Sequence, residues 1–295
     1  MSAARALAAA PPPVVEGEFP FTQSDFSRIA ALLYEQAGIT LSDSKSTLVY
    51  SRLAKRVRTL GLPSFAAYCD LVSQPEEADE RGRMLNALTT NLTRFYREPH
   101  HFDHLREQVL EPIAAKVRAG GRLRIWSAGC SSGQEPYSIA LTILSVIPEA
   151  AELDVKVLAT DIDSNMIAQG QAGLYSDELV EPIPAALRTR WLERDPGDRT
   201  RWRMSAAART LVAFKELNLM KPWPIKGRFQ AIFCRNVVIY FDEPTQEKIW
   251  SRFQPLLEAD GRLYIGHSER LSGAGAEYVS DGLTTYRPAV QRIAS

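Results

Sequence analysis

The stretch Ala128-Gly129-Cys130-Ser131-Ser132-Gly133-Gln134-Glu135-Pro136 has the residue types of a ligand loop. Its glycines permit close backbone approach, and Pro136 suits the first turn of a helix, where a missing amide donor costs nothing. The loop follows an apolar run, Leu123 to Ser127. A second such run, Val155 to Thr160, ends in Asp161-Ile162-Asp163. A carboxylate at the end of the second strand of a doubly wound sheet is placed to hold ribose hydroxyls, and Asp161 takes that role here. Asp163 reads instead as the cap of the next helix.

Charge narrows the ligand. A dinucleotide lays its pyrophosphate on the helix N-terminus, where Glu135 would repel it, and the glycine spacing departs from G-x-G-x-x-G. S-adenosylmethionine carries no phosphate and offers an ammonium and a sulfonium, which a carboxylate favours. Glu135 therefore points to that cofactor, with Gly129 at its closest backbone approach.

The elements that must position these residues fall into two kinds. Residues 1–18 read as a disordered Ala/Pro tail. From 19 to 88 the periodicity is helical, with Ser24 as the first N-cap and Gly38 closing that helix. A second helix over 44–59 turns Leu48, Leu53 and Val57 inward, and shorter helices cover 65–72 and 76–88. Arg52, Lys55, Arg56 and Arg58 give this all-helical domain a basic face, read either as a solvated surface or as a dock for an acidic helical partner. Residues 89–120 form an interdomain linker and a helix from Pro99 to Arg118. After Gly121 apolar strands and helices alternate through Phe229–Cys234 and Leu263–Gly266, the pattern of an α/β doubly wound, Rossmann-like domain over 121–295. Between about 175 and 217 the rhythm breaks around Asp195-Pro196-Gly197-Asp198, where a helix and an antiparallel hairpin are expected as an inserted β-subdomain. A closing hairpin is expected around Asp281-Gly282.

Bulk properties exclude several classes. Lys plus Arg equals Asp plus Glu at 35 each, so no net field draws the protein to nucleic acid or an anionic membrane. Cys69, Cys130 and Cys234 are too few and too irregularly spaced for a disulfide framework or a zinc site, which suits a reducing, cytoplasmic setting. No apolar run is long enough to span a bilayer, so a soluble protein without membrane insertion is expected. Neither a G-x-S-x-G elbow nor a G-x-x-x-x-G-K-[ST] loop is present. His100, His101 and His104 suggest a metal, His100 and His104 sharing a helix face, but no second cluster completes a zinc set and no metal is expected.

Five segments then carry a family resemblance: Asn91-Leu92-Thr93-Arg94-Phe95-Tyr96-Arg97-Glu98, the loop from Trp126 to Ser138, Ala159 to Asp163, Phe233 to Asp242, and Gly266-His267-Ser268-Glu269. In order, they closely resemble the motifs of CheR chemotaxis-receptor methyltransferases, and the resemblance extends over nearly all of 21–287. It implies a class I S-adenosylmethionine methyltransferase domain after a small helical domain, with a β-subdomain that in that family contacts the receptor. It implies that Asn91, Thr93 and Arg97 reach the cofactor, that Glu135 and Asp161 hold its amino-acid and ribose ends, and that Asn218 and Leu219 lie on the adenine side. Arg235, Asn236 and Tyr240 resemble the residues lining the mouth where the methyl meets its acceptor.

The implied reaction is methyl transfer to glutamate carboxylates on the cytoplasmic helical domains of methyl-accepting chemotaxis receptors, leaving S-adenosylhomocysteine, in an enzyme recruited to receptor arrays. Such an acceptor is already ionised, with a reference value near 4.3, so no general base is needed. An arginine such as Arg97 or Arg235 and the hydroxyl of Tyr240 are the expected orienting groups. The alternatives are a class I methyltransferase with another substrate and a signalling module that binds the cofactor without catalysis.

Overall fold

A computed structural model describes residues 12–271, 273 and 277–289. The chain divides into two compact units with the boundary between Thr89 and Thr90. Of the tail expected over 1–18, residues 1–11 lie outside the described residues. From Pro12 the chain is ordered within the helical unit: the Val14 amide donates to the Phe21 carbonyl at 2.8 Å, the Phe19 amide donates to the Tyr50 hydroxyl at 3.2 Å, and Glu18 accepts from Arg58.

The first unit consists of α1 (Gln23–Ala37), α2 (Ser46–Thr59), α3 (Phe65–Val72) and α4 (Ala78–Leu88). Thr22, rather than Ser24, caps α1, because it forms a capping box with Asp25: the Asp25 amide donates to Thr22 Oγ1 at 3.2 Å and the Thr22 amide to Asp25 Oδ2 at 2.9 Å. Gly38, at φ 71°, closes the helix as expected. In α2 the inward stripe is Val49, Leu53 and Val57, four residues apart, and Leu48 is only half-buried. The basic face is largely spent within the unit. Arg52 donates to the carbonyls of Leu88 and Thr89, Arg58 pairs with Glu18, and Arg56 Nε donates at 2.9 Å to Glu80, itself 2 % exposed. Lys55 alone of the four has no such partner among the described residues.

The second unit opens with the segment expected to be a linker, followed by α5 (His100–Leu105), a π-helical turn over Arg106–Leu110 and α6 (Glu111–Arg118). Pro112 explains the turn, since it cannot donate to the carbonyl of Gln108 and its ring crowds that oxygen in a regular helix. Phe95, Phe102, Leu105 and Val117 from this stretch lie in the same core as the sheet, so residues 90–120 are part of the second unit.

The remaining elements are β1 (Leu123–Ala128), α7 (Gln134–Val146), β2 (Val155–Asp161), α8 (Ser164–Ala172), β3 (Leu174–Ser176), α9 (Asp177–Val180), α10 (Ala185–Trp191), β4 (Leu192–Arg194), β5 (Arg201–Met204), α11 (Ala206–Leu211), β6 (Val212–Glu216), β7 (Phe229–Cys234), α12 (Glu243–Phe253), β8 (Leu257–Ile265), β9 (Tyr278–Gly282) and β10 (Thr285–Pro288). The main sheet has the order β6-β2-β1-β7-β8-β10-β9, parallel from β6 to β8, with β10 antiparallel to both of its neighbours. Its strands are apolar on both faces: Ile125, Val157 and Phe233 enter one core, while Trp126, Ile232 and Ile265 enter the other.

The insertion differs from the expectation in extent. A separate antiparallel sheet, β3-β5-β4, occupies 174–204, and the β4–β5 hairpin surrounds the predicted turn. Val212–Glu216, expected inside the insertion, instead pairs with β2 as the edge of the main sheet, because Val212 and Phe214 alternate inward against solvent-facing Ala213 and Lys215.

Phe233 is fully buried, stacked on Tyr264 at 4.2 Å and 16°, with Phe102 beyond at 5.9 Å. Phe233→Ala should therefore lower the stability of the second unit by about 3–5 kcal/mol, read as a shifted urea midpoint at unchanged slope. A loss below about 1 kcal/mol would show that this layer repacks freely.

Candidate active site

The neighbours of β1 on its two sides, β2 and β7, are where the strand order reverses, and ligands of open α/β sheets bind at the carboxyl ends beside that switch. The sequence-predicted loop begins there. The amides of Gly129 and Cys130 donate to the Thr160 carbonyl at 2.8 and 2.9 Å, fastening the loop to the end of β2. Gly133, at φ 97°, is the N-cap of α7, and a Cβ there would meet Tyr175 Oη at 2.7 Å. Gly129, at φ 84°, approaches Val237, whose Cγ2 would stand 2.2 Å from an added Cβ. The close contact there is with Val237.

Asp161 is buried, and its carboxylate accepts from the Ser131 amide at 2.8 Å and the Asp163 amide at 3.0 Å. Burial pushes its carboxyl above the usual range, against the pull of those two amides. Asp163 caps α8 through the Asn165 amide at 2.9 Å, as expected, and also accepts from Asn91 Nδ2 at 2.8 Å. Ser131 Oγ donates to the Asn91 carbonyl at 2.8 Å, so Asn91, the loop and the end of β2 form one network. The Leu217 amide donates to the Asp161 carbonyl at 2.9 Å, which brings Asn218 and Leu219 beside the same strand end. Asn218 Oδ1 accepts from the Met220 amide, and Leu219 is buried in the core.

Glu135 lies in the first turn of α7 and accepts from Ser127 Oγ at 2.7 Å. Arg235, the residue after β7, brings Nε to 3.4 Å from Glu135 and 3.9 Å from Glu98, and its Nη2 donates to the Arg97 carbonyl. Burial raises the Glu135 carboxyl, with Arg235 and Ser127 acting the other way. Glu98, also burdened by burial, is nevertheless held below the usual range by His267 and Arg235. Arg97 donates from Nη1 to the Leu92 carbonyl at 3.1 Å and has no carboxylate partner among the described residues. Thr93 and Tyr240 are half-buried, Tyr240 in a single helical turn over Val238–Tyr240.

Sequence reasoning missed Ser127, Ser131, Glu98 and Glu269 as site residues. Glu98 and Glu269 stand in quoted motifs, but their partners are far along the chain. The histidine pattern also resolves differently. His104 turns to Tyr264 Oη and the Asp281 carbonyl, both at 3.1 Å, while Glu98, His100 and His101 bring ligand atoms within 4.8 Å of one another. The Arg235 guanidinium beside Glu98 puts a positive charge in that same place.

The fit of an amino-acid-bearing cofactor rests on the polar atoms around Arg235. Nε and Nη1 of Arg235 and Oδ1 of Asn236 are buried without a protein hydrogen bond, next to a carboxylate with bonding capacity left. Such a set suits a group that brings both a carboxylate and an ammonium.

The strand order and the loop at the end of β1 define a class I, Rossmann-like methyltransferase fold. Residues 91–286 match the family described as CheR methyltransferase, SAM binding domain, and residues 24–89 match CheR methyltransferase, all-alpha domain; the chain belongs to this family and is an S-adenosylmethionine-dependent methyltransferase. A probable chemotaxis protein methyltransferase of Rhizobium etli is 53 % identical over 87 % of this chain and 96 % of its own. Chemotaxis protein methyltransferase 2 of Pseudomonas aeruginosa is 42 % identical (92 % and 95 %), and the chemotaxis protein methyltransferase of Escherichia coli 40 % (90 % and 91 %).

Gly129→Ala should destabilise the second unit through two separable causes, left-handed backbone and the Val237 clash. Adding Val237→Ala should restore only part of the thermal midpoint. Full restoration, or no effect of the single change, would contradict the packing described.

Proposed function

We propose that the protein transfers methyl from S-adenosylmethionine to glutamate carboxylates on the cytoplasmic helical domains of chemotaxis receptors, forming methyl esters and S-adenosylhomocysteine. The observation that carries this reading is the pairing of half-buried Glu135 with buried Arg235 at the switch point, in a chain of this family. The names of the relatives, chemotaxis protein methyltransferases, support the setting. No helix among the described residues is long and apolar enough to cross a membrane, which is compatible with action on the cytoplasmic side.

The cofactor, when bound, supplies an electrophilic methyl on a sulfonium. Glu135 offers its carboxylate to the ammonium, Arg235 its free donors to the carboxylate of the same end, and Asp161 a lone pair on each oxygen to ribose hydroxyls. Asn91 and Thr93 close the same side, Asn218 and Leu219 flank the base, and Asn236 presents its unpaired Oδ1. Arg97, with no carboxylate partner among the described residues, and the Tyr240 hydroxyl orient the acceptor. A glutamate acceptor has no proton to lose, so catalysis rests on near-attack placement and on drying the carboxylate without protonating it.

The direct test is incubation of the purified protein with methyl-labelled cofactor and a receptor cytoplasmic domain. A base-labile label on the receptor supports the ester. A base-stable label would assign a different acceptor, and no label with intact cofactor binding would assign a binding module.

Tyr240→Phe should lower turnover while leaving cofactor affinity nearly unchanged, and with cofactor saturating the rate of the unmodified enzyme should stay flat between about pH 6 and 9, since an acceptor glutamate with a reference value near 4.3 is already ionised there and needs no base. A rate rising through that range only when the hydroxyl is present would make Tyr240 a base and overturn this role.

Glu135 gives a pH signature of its own. Its raised value means that it takes up a proton at a pH where an ordinary glutamate is still ionised, while a bound ammonium favours the ionised form. Cofactor binding should therefore release protons, and affinity should begin to weaken, as pH falls, before the ordinary glutamate range near 4.3 is reached. Calorimetry in buffers of different ionisation enthalpy reads both effects, and Glu135→Gln should abolish them; persistence in that variant would place the ammonium elsewhere.

A further inference from the structure

β7 and β8 are parallel with Cys234 level with Ile265, so their carboxyl ends stop side by side and the ladder ends with them. The segments that follow, Arg235–Tyr240 and Gly266–Glu269, both approach Glu98, and their backbones are joined by Glu269. Glu269 is 4 % exposed, and its carboxylate accepts four backbone amides. Oε2 receives Gly266 at 2.6 Å and Asn236 at 2.9 Å. Oε1 receives Val237 at 2.8 Å and Val238 at 3.0 Å. Four donors fill the lone-pair directions of a carboxylate, so the anion is fully answered where it lies.

The backbone it holds is one that would not hold itself. Asn236 sits at φ 60°, a left-handed conformation that persists in a non-glycine residue only when its surroundings over-determine it. The fit is tight on the opposite side as well. A Cβ on Gly266 would stand 2.6 Å from Asn236 Nδ2 and 2.9 Å from both the Asn236 nitrogen and Glu269 Oε2. The strained turn separates the two residues assigned to the reaction on its β7 side. Arg235 immediately precedes it, aimed at Glu135 and Glu98, and the helical turn that carries Tyr240 begins with Val238, whose amide is on Glu269.

We propose that Glu269 is a positioning residue for methyl transfer: a buried carboxylate that indexes Arg235 and Tyr240 to each other through the three amides of Asn236, Val237 and Val238, with the Gly266 amide tying it to the end of β8, while touching neither side chain. The proposal rests on the assignment of Arg235 and Tyr240 made above. Its chemistry asks for a full negative charge with acceptors on both oxygens. A glutamine of the same shape turns an NH2 towards two of the donating amides, and an aspartate falls short by one methylene.

The test compares Glu269→Gln and Glu269→Asp with the unmodified protein in single-turnover methylation of a receptor cytoplasmic domain. Glu269→Gln should lower the rate constant by roughly 10- to 100-fold, the scale expected when reacting groups are displaced by about an ångström, and Glu269→Asp should recover part of it. In a Tyr240→Phe background the effect of Glu269→Gln should shrink, because the group it positions is gone. A merely structural role would give the same factor in both backgrounds. A rate for Glu269→Gln within twofold of the unmodified protein, or strictly multiplicative losses, overturns the proposal. If Glu269→Gln does not fold, Gly266→Ala keeps the negative charge but pushes on both Asn236 and Glu269 Oε2, and should slow transfer in the same Tyr240-dependent way; an unchanged rate counts against the clamp. Amide hydrogen exchange at Asn236, Val237 and Val238 reads the clamp without any turnover. Faster exchange there in Glu269→Gln, in a protein that labels no receptor, would retain the clamp and reject the proposed reaction, whereas unchanged exchange would reject the clamp itself.

Discussion

Carboxylates withdrawn from solvent, each raised by burial and answered by donors, govern the second unit. A buried, uncompensated charge costs several kcal/mol, so each one dictates where donors must be. Asp161 takes the amides of Ser131 and Asp163 and thereby sets the ligand loop against the end of β2. Glu269 takes four amides and sets the ends of β7 and β8. Glu135 differs from both. It receives one hydroxyl and faces a guanidinium at 3.4 Å without a hydrogen bond from it, so it is the least satisfied of the three. Two carboxylates build the walls of the site, and the third keeps bonding capacity for what enters.

Backbone strain is concentrated in the same place. Among the described residues, left-handed conformations outside glycine occur at Tyr96, Glu98, Ser131, Asn236 and Thr284, and the first four lie in segments that converge on the switch point. Each costs of order 1–3 kcal/mol and persists only where neighbours hold it. Ser131 is held by Asp161 and Asn236 by Glu269, so the buried charges that organise the donors also sustain the turns presenting Asn91, Arg235 and Tyr240.

Much of this was legible in the residues because it depended on near neighbours. The glycine loop, Glu135 and Asp161 announce themselves by type and position beside strand ends, and Asp163 as a cap needs only the helix that follows it. Legibility failed where a partner lay far along the chain. Glu269 reads as one acid in a short motif until the fold brings Asn236 to it, and the basic residues of α2 read as a surface until Glu80 and the carbonyls at the end of α4 meet them. Thr22 displaced Ser24 as a cap because the reciprocal bond with Asp25 outweighs residue type alone. β6 was hidden for another reason: an edge strand needs only two inward residues, and Val212 and Phe214 are too few to stand out against the preceding helix.

The order of the sheet has a consequence for how the chain is made. β10 follows β9 in sequence, yet it lies between β8 and β9. Until β10 has been made, β8 is an open edge and β9 has no place to dock, because the strand that joins them is missing. The parallel half of the sheet and its ligand loop can form early during synthesis, whereas the far side waits for Thr285–Pro288. A chain broken off after Gly282 would therefore lose an interior strand of the sheet, and would expose the unpaired backbone of β8 to whatever strand came next.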